Sequence, residues 1–134
     1  MKTKHIAILI FGLLTIKGIS QTEKEVLDFD PAFSHSVYVW LKEPNNPNVR
    51  EQFETSLKKF LRNSKFAKTN FIGVPPKATR DVVDDSYTYS LIVTFESAEA
   101  QDGYQKEEAH LIFIEECKEL WEKVLVYDAL GLEE

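Results

Sequence analysis

Cysteine is almost absent from this chain. Cys117 is the single one in 134 residues, so no internal disulfide staples the fold and burial of apolar surface has to hold it together. Histidine is nearly as scarce: beyond His5 there are only His35 and His110, far apart and without zinc-ligand spacing. No metal site and no cofactor is expected. The five glycines form no phosphate-cradling loop, and no serine nucleophile motif is present. Basic residues are outnumbered, 16 against 22 acidic ones, and a formal charge of −6 repels nucleic acid and anionic membrane surfaces. The one long apolar run, Ile6 to Ile16, falls short of the roughly 20 residues that span a bilayer.

That run follows Lys2 and Lys4 and leads into Gly18, Ile19 and Ser20, small residues at the last and third-from-last positions before Gln21. This is the form of a secretory signal peptide. Residues 1–20 are therefore expected to be removed, giving an exported protein, periplasmic or secreted, with no stable membrane association after cleavage. The leader carries three lysines and no acids, so the remainder is more acidic still. Residues 21–33 read as an N-terminal leader segment, 34–130 as one domain, and 131–134 as a tail.

Periodicity within the domain sets the element order. His35 to Lys42 alternates as a strand. Asn48 followed by Glu51 has capping-box spacing, and Val49, Phe53, Leu57, Phe60 and Leu61 recur at helical intervals after it. Lys68 to Val74 reads as a second strand stopped by Pro75 and Pro76, and the polar stretch from Lys77 to Ser86 as a long loop. Tyr87 to Phe95 is the third strand. Ser97 is placed to cap a helical stretch with Glu99 in its first turn. This stretch should break at Gly103 or near Glu107 and continue through Trp121, ahead of a last strand, Lys123 to Ala129. The order βαββαβ is the split βαβ, ferredoxin-like pattern of an α+β fold: a four-stranded antiparallel sheet with two helices on one face.

Alternation also assigns the faces. His35, Val37, Val39, Leu41, Tyr89, Leu91, Val93, Val124, Val126 and Asp128 share one face, to be covered by Phe53, Leu57, Phe113 and Trp121 from the helices. The opposite face carries Ser36, Tyr38, Trp40, Thr88, Ser90, Ile92, Thr94, Leu125 and Tyr127. It is too apolar to stand in water with no third layer to cover it. A homodimer through this open sheet face is the expected arrangement.

Four features in order resemble the stress-responsive A/B barrel, or Dabb, domain: His35 at the first strand's start, Phe95-Glu96-Ser97 closing the third, Tyr104 six residues before His110 in an Ala-His pair, and Tyr127-Asp128 in the last strand. The resemblance implies a ferredoxin-like protomer that pairs into a dimeric α/β barrel. In the family's polyketide-cyclase branch it implies a cavity between sheet and helices, with His110 as base, Tyr104 as the residue that positions or polarises the substrate, and His35 and Asp128 matching two further polar positions. The chain departs from that pattern at Glu107 and Glu108, where the family often has His and Pro, and at Tyr89, where the branch has another His. Two carboxylates beside His110 would favour its protonated form.

Candidate catalytic residues are therefore His110 and Tyr104. On one straight helix their six-residue offset would turn them about a third of a circle apart, so convergence requires a kink. His35, Val37, Val39, Phe53, Tyr89, Leu91, Trp121, Val126 and Asp128 are the candidate ligand-binding set. Three functions stay open at this level: a domain of undetermined activity that binds a small apolar or aromatic molecule, a cofactor-free cyclase-like or isomerase-like enzyme with His110 as general base, and a purely structural dimer with a filled core. In that last case His110 would simply hydrogen-bond Asp128 or a backbone carbonyl.

Overall fold

The structure, a computed structural model, describes residues 32–132; the signal-peptide reading of residues 1–20 and nearly all of the 21–33 leader lie outside them. The elements run β1 (Phe33–Leu41), α1 (Pro47–Asn63), β2 (Thr69–Gly73), β3 (Tyr89–Phe95), α2 (Ala98–Lys106), α3 (Glu108–Cys117) and β4 (Trp121–Leu130). The sheet has the order β2-β3-β1-β4 and every pairing in it is antiparallel. This is the ferredoxin-like α+β arrangement.

Four local expectations are corrected. The helical part of the second half is two helices, making three in all, with the break at Glu107 and none at Gly103. Trp121 opens β4 and is not helical, because α3 stops at Cys117. The third strand starts at Tyr89, two residues later than its composition suggests. The cap of α1 is Asn46, whose side-chain oxygen accepts from the Asn48 and Val49 backbone N–H groups. Pro47, with its fixed φ and missing N–H, fits the first helical position, and this moves the start upstream of the Asn48–Glu51 pair. Ser97 does cap α2, accepting from Ala100 N–H at 3.1 Å.

Register places the helix-facing residues in rows. Asp128, His35 and Val93 lie side by side; so do Val126, Val37, Leu91 and Ile72, and then Val124, Val39 and Tyr89. Phe53, Leu57, Phe60 and Leu61 of α1 are buried, as are Ala100 and Tyr104 of α2 and Phe113 and Cys117 of α3. Phe53 stacks on Tyr89 at 5.0 Å between ring centres and meets Phe113 and Trp121 edge-on. On the other face Tyr38 packs against Tyr87 and Tyr127, Trp40 packs against Tyr87, and Lys123 Nζ lies 4.1 Å over the Trp40 ring. Thr88, Ser90 and Thr94 of that face are buried, whereas Tyr127 is 59% exposed.

Candidate functional site

The break at Glu107 builds the site. Its backbone is extended, φ −67° and ψ 149°, and its carbonyl accepts from the N–H groups of His110 and Leu111 to start α3 afresh. Restarting the helix resets its phase, and this removes the angular offset that a single straight helix would impose on Tyr104 and His110. Their rings lie stacked, 5.4 Å between centres and 30° between planes. Phe60 from α1 packs on both, at 4.9 Å from Tyr104 and 5.2 Å from His110. On the sheet side, His35 meets Tyr104 edge-on at 5.8 Å.

Hydrogen bonds fix what each ring can do. His110 Nδ1 lies 2.9 Å from the Gln105 carbonyl. A carbonyl only accepts, so Nδ1 carries the hydrogen, and in the neutral ring the lone pair belongs to Nε2. Burial pushes the affinity of His110 for a proton below the ordinary value of 6.5, outweighing the Gln105 bond and Glu107, which pull the other way; His35 adds to the lowering. The expected protonating effect of the two carboxylates is thus corrected: Glu107 acts in that direction but loses to desolvation, and Glu108 is exposed. Near neutral pH the ring is a free base.

Tyr104 is 1% exposed and its hydroxyl has no hydrogen-bond partner among the described residues. Burial, with Glu107 second, pushes the phenol well above its usual range. It therefore stays protonated and can donate. His35 Nδ1 donates to Asp128 Oδ1 at 2.6 Å, joining two residues that the β1–β4 register already places opposite each other. The partner of Asp128 is thus His35, and the carbonyl that binds His110 is that of Gln105. The Tyr89 ring faces the helices, but its hydroxyl donates to Glu54 Oε1 at 2.6 Å, and the Arg50 guanidinium sits over the ring. That bond holds the Glu54 carboxyl below the usual carboxylate range.

Between sheet and helices these groups enclose a cavity of about 180 Å³. His35, Val37, Val39, Phe53, Tyr89, Leu91, Tyr104, His110, Trp121 and Val126 line it; Asp128 stands outside, behind His35. Leu57, Phe60, Gln105, Phe113, Ile114 and Val124 also contribute and were not singled out as site residues. Phe60 was legible as a core residue from its helical spacing, but nothing in the sequence signals the Gln105 carbonyl, because a backbone group has no side-chain signature. A larger groove of about 520 Å³ runs between α1 and α3 and shares Phe60 and Phe113 with the cavity, yet contains none of His35, Tyr104 and His110. Among the described residues no three His, Cys, Asp or Glu side chains converge to hold a metal.

The model of the stress responsive A/B barrel domain matches residues 33–130, nearly the whole described chain. The protein belongs to that family. Among solved structures, a Dabb family protein with a ferredoxin-like fold from Mesorhizobium loti is 20% identical over 75% of this chain and 97% of its own, with a TM-score of 0.63. Hydroxynitrile lyase from Passiflora edulis is 17% identical over 78% and 97%, at 0.66. A dimeric ferredoxin-like protein of unknown function from Thermobifida fusca is 15% identical over 80% and 98%, at 0.61. At these identities the A/B barrel chain shares a fold with them, and no activity follows. No curated protein sequence matches the chain.

Proposed function

We propose that this A/B barrel domain binds a small, largely apolar carbonyl compound between sheet and helices and moves a proton on it without a cofactor. The observation that carries the reading is the stacked Tyr104–His110 pair on the wall of an apolar cavity, with His110 Nδ1 committed to Gln105 and its Nε2 lone pair uncommitted. In the proposed step Nε2 takes an acidic proton from the carbon beside the carbonyl. The electron pair of the broken C–H bond moves to the carbonyl oxygen, and Tyr104 O–H donates a hydrogen bond to the enolate that forms. His35, oriented by Asp128, borders the same space as a second polar contact.

Size narrows the ligand class. An apolar cavity of about 150 Å³ holds benzene, so about 180 Å³ suits one ring and a few further atoms. This favours a compact aromatic or alicyclic carbonyl over an extended polyketide chain. A purely structural core would be expected to fill such a space. The reading includes two outer features: export directed by residues 1–20, and a homodimer through the open sheet face, where Tyr127 and Phe71 are exposed and where dimeric neighbours share the fold.

The test is an imidazole NMR titration of His110 in the full chain, alone and with phenylacetaldehyde, acetophenone and cyclohexanone. A midpoint below about 6.5 that moves with one compound, together with loss of solvent exchange at that compound's acidic carbon in His110→Ala and its slowing in Tyr104→Phe, supports the reading. A His110 signal indifferent to every compound, and no exchange above the buffer rate, overturns it. Mass spectrometry of the exported protein, expected to begin at Gln21, and its mass in solution test the outer features.

A further inference from the structure

Glu107 is the residue that the site leaves unexplained. It occupies the cap position of α3, yet its side chain makes no capping bond, and glutamate is not a residue that caps well. Its side chain instead reaches across to the connection after α1, where Oε2 accepts from the Lys65 backbone N–H at 2.9 Å. Its other oxygen, Oε1, is buried without a hydrogen-bond partner among the described residues. Such orphaned acceptors are rare and costly, and each calls for a reason.

The position supplies one. Glu107 is the joint between α2, which carries Tyr104, and α3, which carries His110. Its backbone carbonyl holds the first turn of α3, and its carboxylate ties the same joint to Lys65. We propose that Glu107 is the positioning residue of the site: the Lys65 clasp fixes the angle of the break that stacks His110 on Tyr104, and the same carboxylate, seated at the joint between them, favours the imidazolium formed when His110 takes a proton. Both ring systems feel that charge. The other titratable groups around His110 are Tyr104 on α2 and, across the cavity, His35 with Asp128 from β1 and β4. α1 presents the Phe60 ring to it, and the groove that Phe60 also borders is lined by Lys59 of α1, Lys65 just beyond it, and Glu108 and Glu116 of α3, with Glu107 itself. Among the described residues Glu107 is thus the carboxylate that acts against the unfavourable burial of a charged His110.

This deepens the proposed function and rests on it for its catalytic meaning, but its test needs no ligand. Two variants separate clasp from charge. Glu107→Gln keeps an acceptor for Lys65 and removes the charge; the His110 titration midpoint should fall by about half a pH unit, with the Tyr104–His110 ring-to-ring NOE unchanged. Lys65→Pro keeps the charge and removes the N–H, and the extended backbone of Ser64, φ −62° and ψ 135°, accepts a following proline; the NOE should weaken or vanish. An unmoved midpoint in Glu107→Gln overturns the electrostatic role, and an intact NOE in Lys65→Pro overturns the positioning role. If no carbonyl compound binds but both shifts appear, the functional reading fails and this one stands.

Discussion

The two ends of the layer between sheet and helices are built differently. On the central strand β3, Val93 and Phe95 have no exposed surface and neither borders the cavity; Phe95 packs edge-on against Tyr104 of α2. At the β4 end, Val124 and Val126 face the same side of the sheet but remain 39% and 42% exposed. The difference follows from topology: β4 is an edge strand in the order β2-β3-β1-β4, and the ten-residue α3 leaves it half covered. A domain with more helix than this would close that end and lose the cavity. The unfilled end is the one that borders the cavity.

The comparison breaks most visibly by truncating one side chain at each end. Phe95→Ala at the filled end is expected to cost about 3–5 kcal/mol of folding stability, measured by urea denaturation, while Val124→Ala costs under about 1 kcal/mol. Equal costs would mean that the open end is packed after all. The next effect concerns how that end is held. Asp128→Ala strands the buried Nδ1–H of His35 without its acceptor and should cost about 1–3 kcal/mol, which would show a polar tie standing in for packing. Val126→Trp should narrow the cavity, weakening binding of any carbonyl ligand tenfold or more, about 1.4 kcal/mol, with a smaller change in stability. Ligand affinity that survives this change would place the binding site elsewhere.

The smallest effect is the dependence on pH. His110 binds a proton less readily folded than unfolded, so below its unfolded value of 6.5 the unfolded chain takes up more protons. Stability should therefore be complete above that pH and decline as the pH falls from it toward the lower folded value. His110→Phe should flatten this slope, leaving the losses at lower pH from Glu54, whose carboxyl is held below 4.5.

The sheet was legible in the sequence because strands with one buried face write their alternation plainly, as His35 to Leu41 does. Tyr104, His110 and His35 were legible as chemistry. Their convergence was only partly so: a break near Glu107 was foreseen, but its angle depends on Glu107 meeting Lys65, 42 positions away, and no local pattern encodes such a contact. The cap of α1 misled because two asparagines stand two residues apart, and only the fixed geometry of Pro47 chooses between them. The protonation of His110 misled for a related reason. Neighbouring carboxylates are visible in a sequence, whereas the desolvation that overrides them is a property of the assembled fold.

The size of the cavity has a kinetic meaning. An occupant of about eight non-hydrogen atoms that gains about 0.5–1 kcal/mol from each, below the ceiling of about 1.5, binds with roughly millimolar to micromolar affinity. With ordinary association rates of about 10⁵–10⁷ M⁻¹s⁻¹, a micromolar occupant leaves within about ten seconds at the slowest and a millimolar one within about ten milliseconds. The proposed proton transfer therefore has to be completed within that stay.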